Sequence, residues 1–322
     1  MIKDGIFNIN KPQGMTSAQV VGAVKRILDV KKVGHTGTLD PMATGVLPVC
    51  VGKAARIMDY LNFDLKEYLC TLKLGLITDT QDIWGNVLEE RPVNVTEDEI
   101  REAFSVFKGK MEQYPPMYSA VRIEGKHLYE YARKGEEPPK DVKKRRIYIE
   151  SLDILSIDLD AFEVSFRVRC SKGTYIRTIC QDVGEALGCG ATMTSLTRSA
   201  TGILNLENSI TLEDLEDKKW DAILPTDYPL VHFGKVIVNQ VSGIRFIAGW
   251  HVSLGECLEI EHPKKVDENL LEFIDEDLLK AYKVYMKTDE GIEFVGVARF
   301  SDKYHKLVAH KVFYRSKNDE SI

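Results

Sequence analysis

The chain carries six cysteines in 322 residues, at positions 50, 70, 170, 180, 189 and 257, and no two are spaced as C-x-x-C. No histidine pair follows them at a ligand-like distance, so no zinc or other metal site is expected. Most lie in apolar stretches, where cysteine behaves as a small core residue, and reduced structural thiols follow. No run of 18 apolar residues occurs, which argues against a membrane-spanning helix. The opening Met1–Phe7 lacks the basic-then-apolar layout of a signal peptide, so a cytoplasmic protein is expected. Gly52-Lys53 lacks the preceding glycines of a phosphate-binding P-loop. Asp79 and Asp82 match no calcium-loop spacing and read as a structural turn. Internal repeats and low-complexity segments are also missing.

What is present is an ordinary globular composition, 44% hydrophobic and 29% charged, long enough for two domains with a sizeable core. A net charge of −6 is the wrong sign for a polyanion binder, so its distribution matters. Residues 1–56 hold eight Lys/Arg against three Asp/Glu, and residues 122–146 hold nine against five. Residues 256–279 hold two against nine, and they read as solvent-facing. Local lysine and arginine density governs attraction to phosphates, and by that measure the N-terminal two-thirds favours RNA weakly.

Hydroxyl-bearing Thr16-Ser17 precedes Val20, Val24, Ile27 and Leu28 on one helical face. Glycine, threonine and proline between 34 and 48 indicate a structured loop. A strand is expected around Tyr68–Leu74. Thr96-Glu97-Asp98-Glu99 is a capping box opening a helix to about Phe107. Residues 110–146 mix Pro115-Pro116, four tyrosines and many basic residues, and read as an insertion that lies on a partner and adds little to the core. Alternation across 147–157 and 161–170 predicts a β-hairpin, and Thr174–Leu187 predicts a helix stopped at Gly188. Asp227-Tyr228-Pro229 marks a domain boundary. Short β runs at 235–238, 257–260, 294–298 and 307–312 suggest a small barrel-like module beyond it.

Gly34-His35-Thr36-Gly37-Thr38-Leu39-Asp40-Pro41-Met42-Ala43-Thr44-Gly45-Val46-Leu47-Pro48 is the most informative stretch. Pro41 forces Asp40 into extended backbone, and the glycines allow close approach of a ligand. A carboxylate so constrained can be aimed, as a nucleophile or charge stabiliser. The same residues also suit a plain Asp-Pro turn in which the carboxylate bonds its own backbone.

This stretch closely resembles the signature GHTGTLDPxATGxLP of the tRNA pseudouridine-55 synthase family, the TruB type. Further segments resemble the same family: Asn8–Ser17, Lys66-Glu67-Tyr68, Gly75–Gly85, Gln113–Ala120 and Cys170–Thr178. The likeness covers about residues 1–228, and the remainder is similar in place and size to the family's PUA-like domain. It implies that Asp40 is the catalytic nucleophile, that Arg177 pairs with it and that Tyr68 stacks on the target base. It further implies that His35 contacts the flipped nucleotide and that Tyr175 and Leu196 line the pocket. Lys143, Lys144, Arg145 and Arg146 are candidates for binding the phosphates of the tRNA T-arm.

The expected fold is therefore α+β. A pseudouridine-synthase-type mixed, largely antiparallel sheet domain spans 1–228, with an inserted RNA clamp at about 110–146. A small β-rich, PUA-like RNA-binding domain spans 229–322. The expected activity is isomerisation of uridine 55 of tRNA, with the base everted from its stack. Breaking N1–C1′ and joining C5 to C1′ exchanges no electrons, so no cofactor is expected. The carboxylate could act at C1′, at C6 or on the 2′ proton, and the residues do not choose among these. The protein is expected to be a monomer that needs no protein partner and no membrane. Rival readings are a guide-RNA-dependent synthase, from which the short start and bacterial-style tail point away, a non-catalytic tRNA-binding or folding protein, and a nucleoside hydrolase.

Overall fold

The computed structural model describes residues 4–61, 64–137 and 142–314. Period-two alternation builds the centre of the molecule. Along the strand Lys66–Leu74, Tyr68, Cys70, Leu72 and Leu74 turn inward. Along Glu163–Cys170, Val164, Phe166, Val168 and Cys170 do the same. The two strands pair antiparallel, with Val168 opposite Tyr68.

From edge to edge, the first sheet runs Gly5–Lys11, Thr44–Val51, Ala191–Thr201, Lys66–Leu74, Glu163–Cys170, Arg145–Asp158 and Gly109–Gln113. Val33–His35 and Leu204–Asn205 pair alongside. Only the contact between Thr44–Val51 and Ala191–Thr201 is parallel along this path. The sheet is thus mixed and largely antiparallel, as expected. The helices Ser17–Leu28, Glu97–Ser105 and Ile176–Ala186 bury Val20 and Val24, Ile100 and Phe104, and Ile179 and Val183 in one common core. Thr16 and Thr96 close capping boxes with Gln19 and Glu99, each contributing about 1 kcal/mol.

A second sheet follows from Gly234. Its order is Val252–Ser253, Lys306–Val312, Gly291–Ser301, Ala281–Thr288, Gly234–Val238 and Cys257–Glu261. The two parts share apolar packing, in which Ile57, Tyr60 and Leu61 meet Leu230, Phe233, Leu270, Ile274, Leu278 and Phe313. The Tyr60 hydroxyl and His310 Nδ1 are 2.6 Å apart within this junction.

Two sequence expectations need correction. Residues 34–48 are not one loop, because Val33–His35 and Thr44–Val51 pair as strands and leave only the tip between them irregular. The segment 110–146 is not a simple insertion. Gly109–Gln113 and Arg145–Ile149 pair as strands of the main sheet, and Gln113, Pro115, Pro116, Leu128 and Tyr131 are buried. The acidic run 256–279 faces solvent, as expected, and several of its carboxylates also pair with basic side chains. Glu272 pairs with Lys110 at 2.9 Å and Arg146 at 3.4 Å, Glu256 with Arg245 at 3.1 Å, and Asp277 with Arg299 at 2.6 Å.

Candidate active site

The strands Val33–His35 and Thr44–Val51 hold the irregular tip that carries Asp40 between them. The Asp40 carbonyl accepts from the Ala43 N–H at 3.1 Å, closing the turn around Pro41. Ser17 clamps the neighbouring Leu39 on both sides, accepting from its N–H at 2.9 Å and donating to its carbonyl at 3.1 Å. Lys11 is fully buried and donates from Nζ to the carbonyls of Pro12 at 2.9 Å, Met15 at 2.5 Å and Pro41 at 2.8 Å. Burial pulls the Lys11 ammonium down to about 8, while the nearby Asp40 charge opposes that shift.

From beneath, Arg198 holds both ends of the loop. Only 1% exposed, it donates from Nε to the Val46 carbonyl at 2.6 Å and from Nη2 to the Gly37 carbonyl at 2.9 Å. The backbone at Gly45 runs so close that a Cβ there would meet the Arg198 carbonyl oxygen at 2.2 Å, and its φ of +99° also suits glycine alone. These contacts fix the position of the carboxylate before any ligand arrives.

Arg177 reaches the same point from the first turn of the helix Ile176–Ala186. Tyr175 caps that helix without a side-chain bond of its own. Gln113 fixes it instead, accepting from the Tyr175 N–H at 2.7 Å and donating to its carbonyl at 2.9 Å. The Arg177 side chain is 7% exposed, and its Nε lies 3.1 Å from Asp40 Oδ2. Nη1 donates to the Thr80 carbonyl at 2.9 Å and lies 3.6 Å from Asp82 Oδ2, and Nη2 donates to the Tyr118 carbonyl at 2.8 Å.

Asp40 keeps 42% of its side chain exposed at this junction. Burial pushes its carboxyl above the ordinary carboxylate value, Arg177 pulls it back, and Asp82 pushes it up again. Tyr68 is packed in the core, near enough to Arg198 and Asp40 to feel both charges, and burial raises its phenol pKa above the ordinary value. His35 is neutral at physiological pH, since burial and then the Arg198 charge lower its pKa. Its Nδ1 has no hydrogen-bond partner among the described residues. Leu196 is buried on the strand beside Cys70.

Asp40, Arg177 and Tyr68 are thus brought into one neighbourhood, and Tyr175 stands two residues before Arg177 at the cap of the same helix. The basic candidates are more spread out. Lys143 to Arg146 are exposed, Lys144 lies over the Tyr114 ring at 5.1 Å, and Arg146 is engaged by Glu272. Arg145 pairs in register with Gln113, which links this segment to the Arg177 helix.

Sequence reasoning assigned no role to Lys11, Ser17, Gln113 or Arg198. Lys11 and Ser17 stand in the quoted Asn8–Ser17 stretch, and Gln113 opens another, yet nothing local reveals a buried ammonium or a clamp across 22 residues. Asp82 was read as part of a turn and is one, accepting from Thr80 Oγ1 at 2.7 Å. Its second oxygen faces Arg177.

Three comparisons bear on the chemistry. The model of the TruB family pseudouridylate synthase N-terminal domain matches residues 25–176, and that of the tRNA pseudouridylate synthase B C-terminal domain matches 177–230. The tRNA pseudouridine synthase B of Clostridium kluyveri is 44% identical over 306 residues, covering 95% of this chain and 98% of the relative. That of Alkaliphilus oremlandii is 41% identical over 298 residues, covering 92% and 98%. Among solved structures, a Cbf5-Nop10-Gar1 complex superposes with a TM-score of 0.70 at 28% identity, covering 96% of this chain and 85% of the other. An H/ACA RNP bound to a substrate RNA containing 2′-deoxyuridine gives 0.70 at 26% identity, covering 97% and 85%.

Proposed function

The chain belongs to the TruB family of pseudouridylate synthases, and on that premise we propose that it isomerises uridine 55 in the T-loop of tRNA to pseudouridine. The observation that carries the proposal is the Asp40–Arg177 pair, a carboxylate aimed by a fixed loop with a guanidinium at 3.1 Å that favours its ionised form.

Asp40 is the nucleophile or charge stabiliser in this reading. An ionised carboxylate meets the need of the first step, because leaving of N1 from C1′ develops positive character on the sugar. Arg177 orients the carboxylate and opposes its protonation. Tyr68 offers the aromatic surface for the everted uracil, with Leu196 and Tyr175 along the pocket and neutral His35 on the nucleotide. Atoms balance within the substrate: N1–C1′ breaks, C5–C1′ forms, and the C5 proton passes to N1 through solvent. No redox or group-transfer cofactor enters that balance.

Lys143, Lys144, Arg145 and Arg146 would meet T-arm phosphates. The catalytic domain is taken as residues 1–228 and the PUA-like RNA-binding domain as 229–322. The protein acts in the cytoplasm as a monomer without guide RNA or protein partners. This last point is supported by the relatives' near-full-length coverage at 41–44% identity, against 26–28% for the Cbf5-Nop10-Gar1 and H/ACA RNP complexes. The test is purified protein alone with unmodified tRNA. Pseudouridine at position 55 supports the reading, activity only with added guide RNA selects the rival, and release of free uracil selects a hydrolase.

A further inference from the structure

The turn between the strands Leu76–Thr78 and Val87–Glu90 is tied together by its own polar groups and fastened to the main sheet at Met193. Thr78 Oγ1 donates to the Asp82 carbonyl at 2.7 Å, and Asp79 accepts from the Asn86 N–H at 2.8 Å and its side-chain amide at 2.9 Å. The Ile83 N–H donates to Met193 of the main sheet at 2.8 Å, and Met193 returns a bond to Gln81 at 3.1 Å. A Cβ at Gly85 would meet Thr80 Oγ1 at 2.2 Å, so the backbone is packed against itself. At the tip of this polar, rigid turn stand two large apolar residues, Ile83 at 38% and Trp84 at 42% exposure.

The Trp84 backbone N–H donates to Asp82 Oδ1 at 3.2 Å. The other oxygen of Asp82 faces Arg177, which in turn holds Asp40. The backbone that carries the indole is therefore anchored to Asp82, two residues away, whose carboxylate faces Arg177 of the catalytic pair. At 42% exposure the indole leaves a large part of its apolar surface in solvent. A flat apolar face beside a site that receives an everted base does have a use: the base next to a flipped nucleotide loses a stacking partner and needs another.

We infer that Trp84 is a positioning residue, a stacking platform for an unpaired T-loop base adjacent to the target uridine. The inference rests on the tRNA-modifying reading and deepens it. Stacking on aromatic side chains in single-strand binders predicts a ten- to hundredfold loss, roughly, on removal of the ring. In steady-state assays on unmodified tRNA, Trp84→Ala raises KM by that factor with a much smaller change in kcat, and Trp84→Phe recovers most of the loss. Tryptophan emission of the wild type is quenched on addition of a T-arm hairpin RNA, and the quenched component disappears in Trp84→Phe. A KM for Trp84→Ala within twofold of wild type, or quenching unchanged in Trp84→Phe, overturns the inference. Wild-type protein that modifies no tRNA removes the underlying reading and this inference with it.

Discussion

Arg177 Nε stands 3.1 Å from Asp40 Oδ2, on a guanidinium whose other nitrogens are committed to the carbonyls of Thr80 and Tyr118. The arginine is thus held by the protein, and the aspartate is held by the arginine. Solvent reaches the carboxylate, with 42% of the side chain exposed, but barely reaches the guanidinium at 7%. A substrate that covers this junction would exclude the remaining water and strengthen the pair.

Arg177→Lys keeps a positive charge but loses the planar fork, so it cannot serve Asp40, Thr80 and Tyr118 together. A kcat loss on the order of a hundredfold or more is expected, with a stability cost of roughly 1–3 kcal/mol from the two unsatisfied carbonyls. Single-turnover rates and denaturant melts check both figures. Near-wild-type rates would remove Arg177 from the mechanism.

The pH dependence follows from the direction of the Asp40 shift. Burial raises its pKa above the usual carboxylate value of about 4. Activity needs the ionised form, so the rate falls as pH drops through that raised value. In Arg177→Met the carboxyl loses its stabilising charge, and the acid limb moves to higher pH. The linkage for stability has the opposite sense. A raised folded pKa gives stability that is complete below the unfolded value and is lost as pH rises. Asp40→Asn should accordingly melt no lower than wild type at neutral pH. A rate profile that stays flat down to the ordinary carboxylate range would contradict the assignment.

Arg198→Met removes the support under the loop. The carbonyls of Val46 and Gly37 lose their donor inside a closed core, and about 2–4 kcal/mol of stability is expected to go with them. The loss of activity should exceed what the remaining folded fraction explains, because Asp40 is no longer held in place. Thermal unfolding together with kcat per folded molecule separates the two effects.

Replacing Lys143, Lys144, Arg145 and Arg146 together with Ala is expected to weaken tRNA binding and flatten its salt dependence. Each phosphate contact contributes about 0.7–0.9 to the slope of log K against log salt. Arg146 already spends its charge on Glu272, so the expected change in slope is about 2–3 and not the full value for four contacts. Arg146→Ala alone should do least. An unchanged slope for the fourfold variant would remove the segment from the interface.

Local chemistry made much of this molecule legible. The hydroxyl cap at Thr16-Ser17, the capping box at Thr96, the hairpin of 147–157 and 161–170 and the helix stopped by Gly188 follow from periodicity and cap residues, and the structure holds them close to the expected bounds. The strand Ala281–Thr288 went unread although Tyr282, Val284 and Met286 alternate with Lys283, Tyr285 and Lys287, because the lysines masked the apolar signal. Within the site, Asp40 and Arg177 were legible only through the resemblance, since an Asp-Pro pair and a helix arginine are common. The supports were not legible at all. Arg198 lies 152 residues from the carbonyl it holds at Val46, and Gln113 lies 62 from Tyr175, distances that only a folded sheet closes. The role of Glu272 was hidden for the same reason, because an acidic run reads as solvated until its partners Lys110 and Arg146 are seen across the junction.

The most direct test is a position-resolved map of pseudouridine in unmodified tRNA after incubation with wild type and with Asp40→Asn. The substitution keeps the shape of the side chain and removes its charge. The expected result is full conversion at uridine 55 by the wild type, none by the variant, and tRNA affinities that agree within a few-fold. Turnover by Asp40→Asn anywhere near the wild-type rate would contradict the account at its centre.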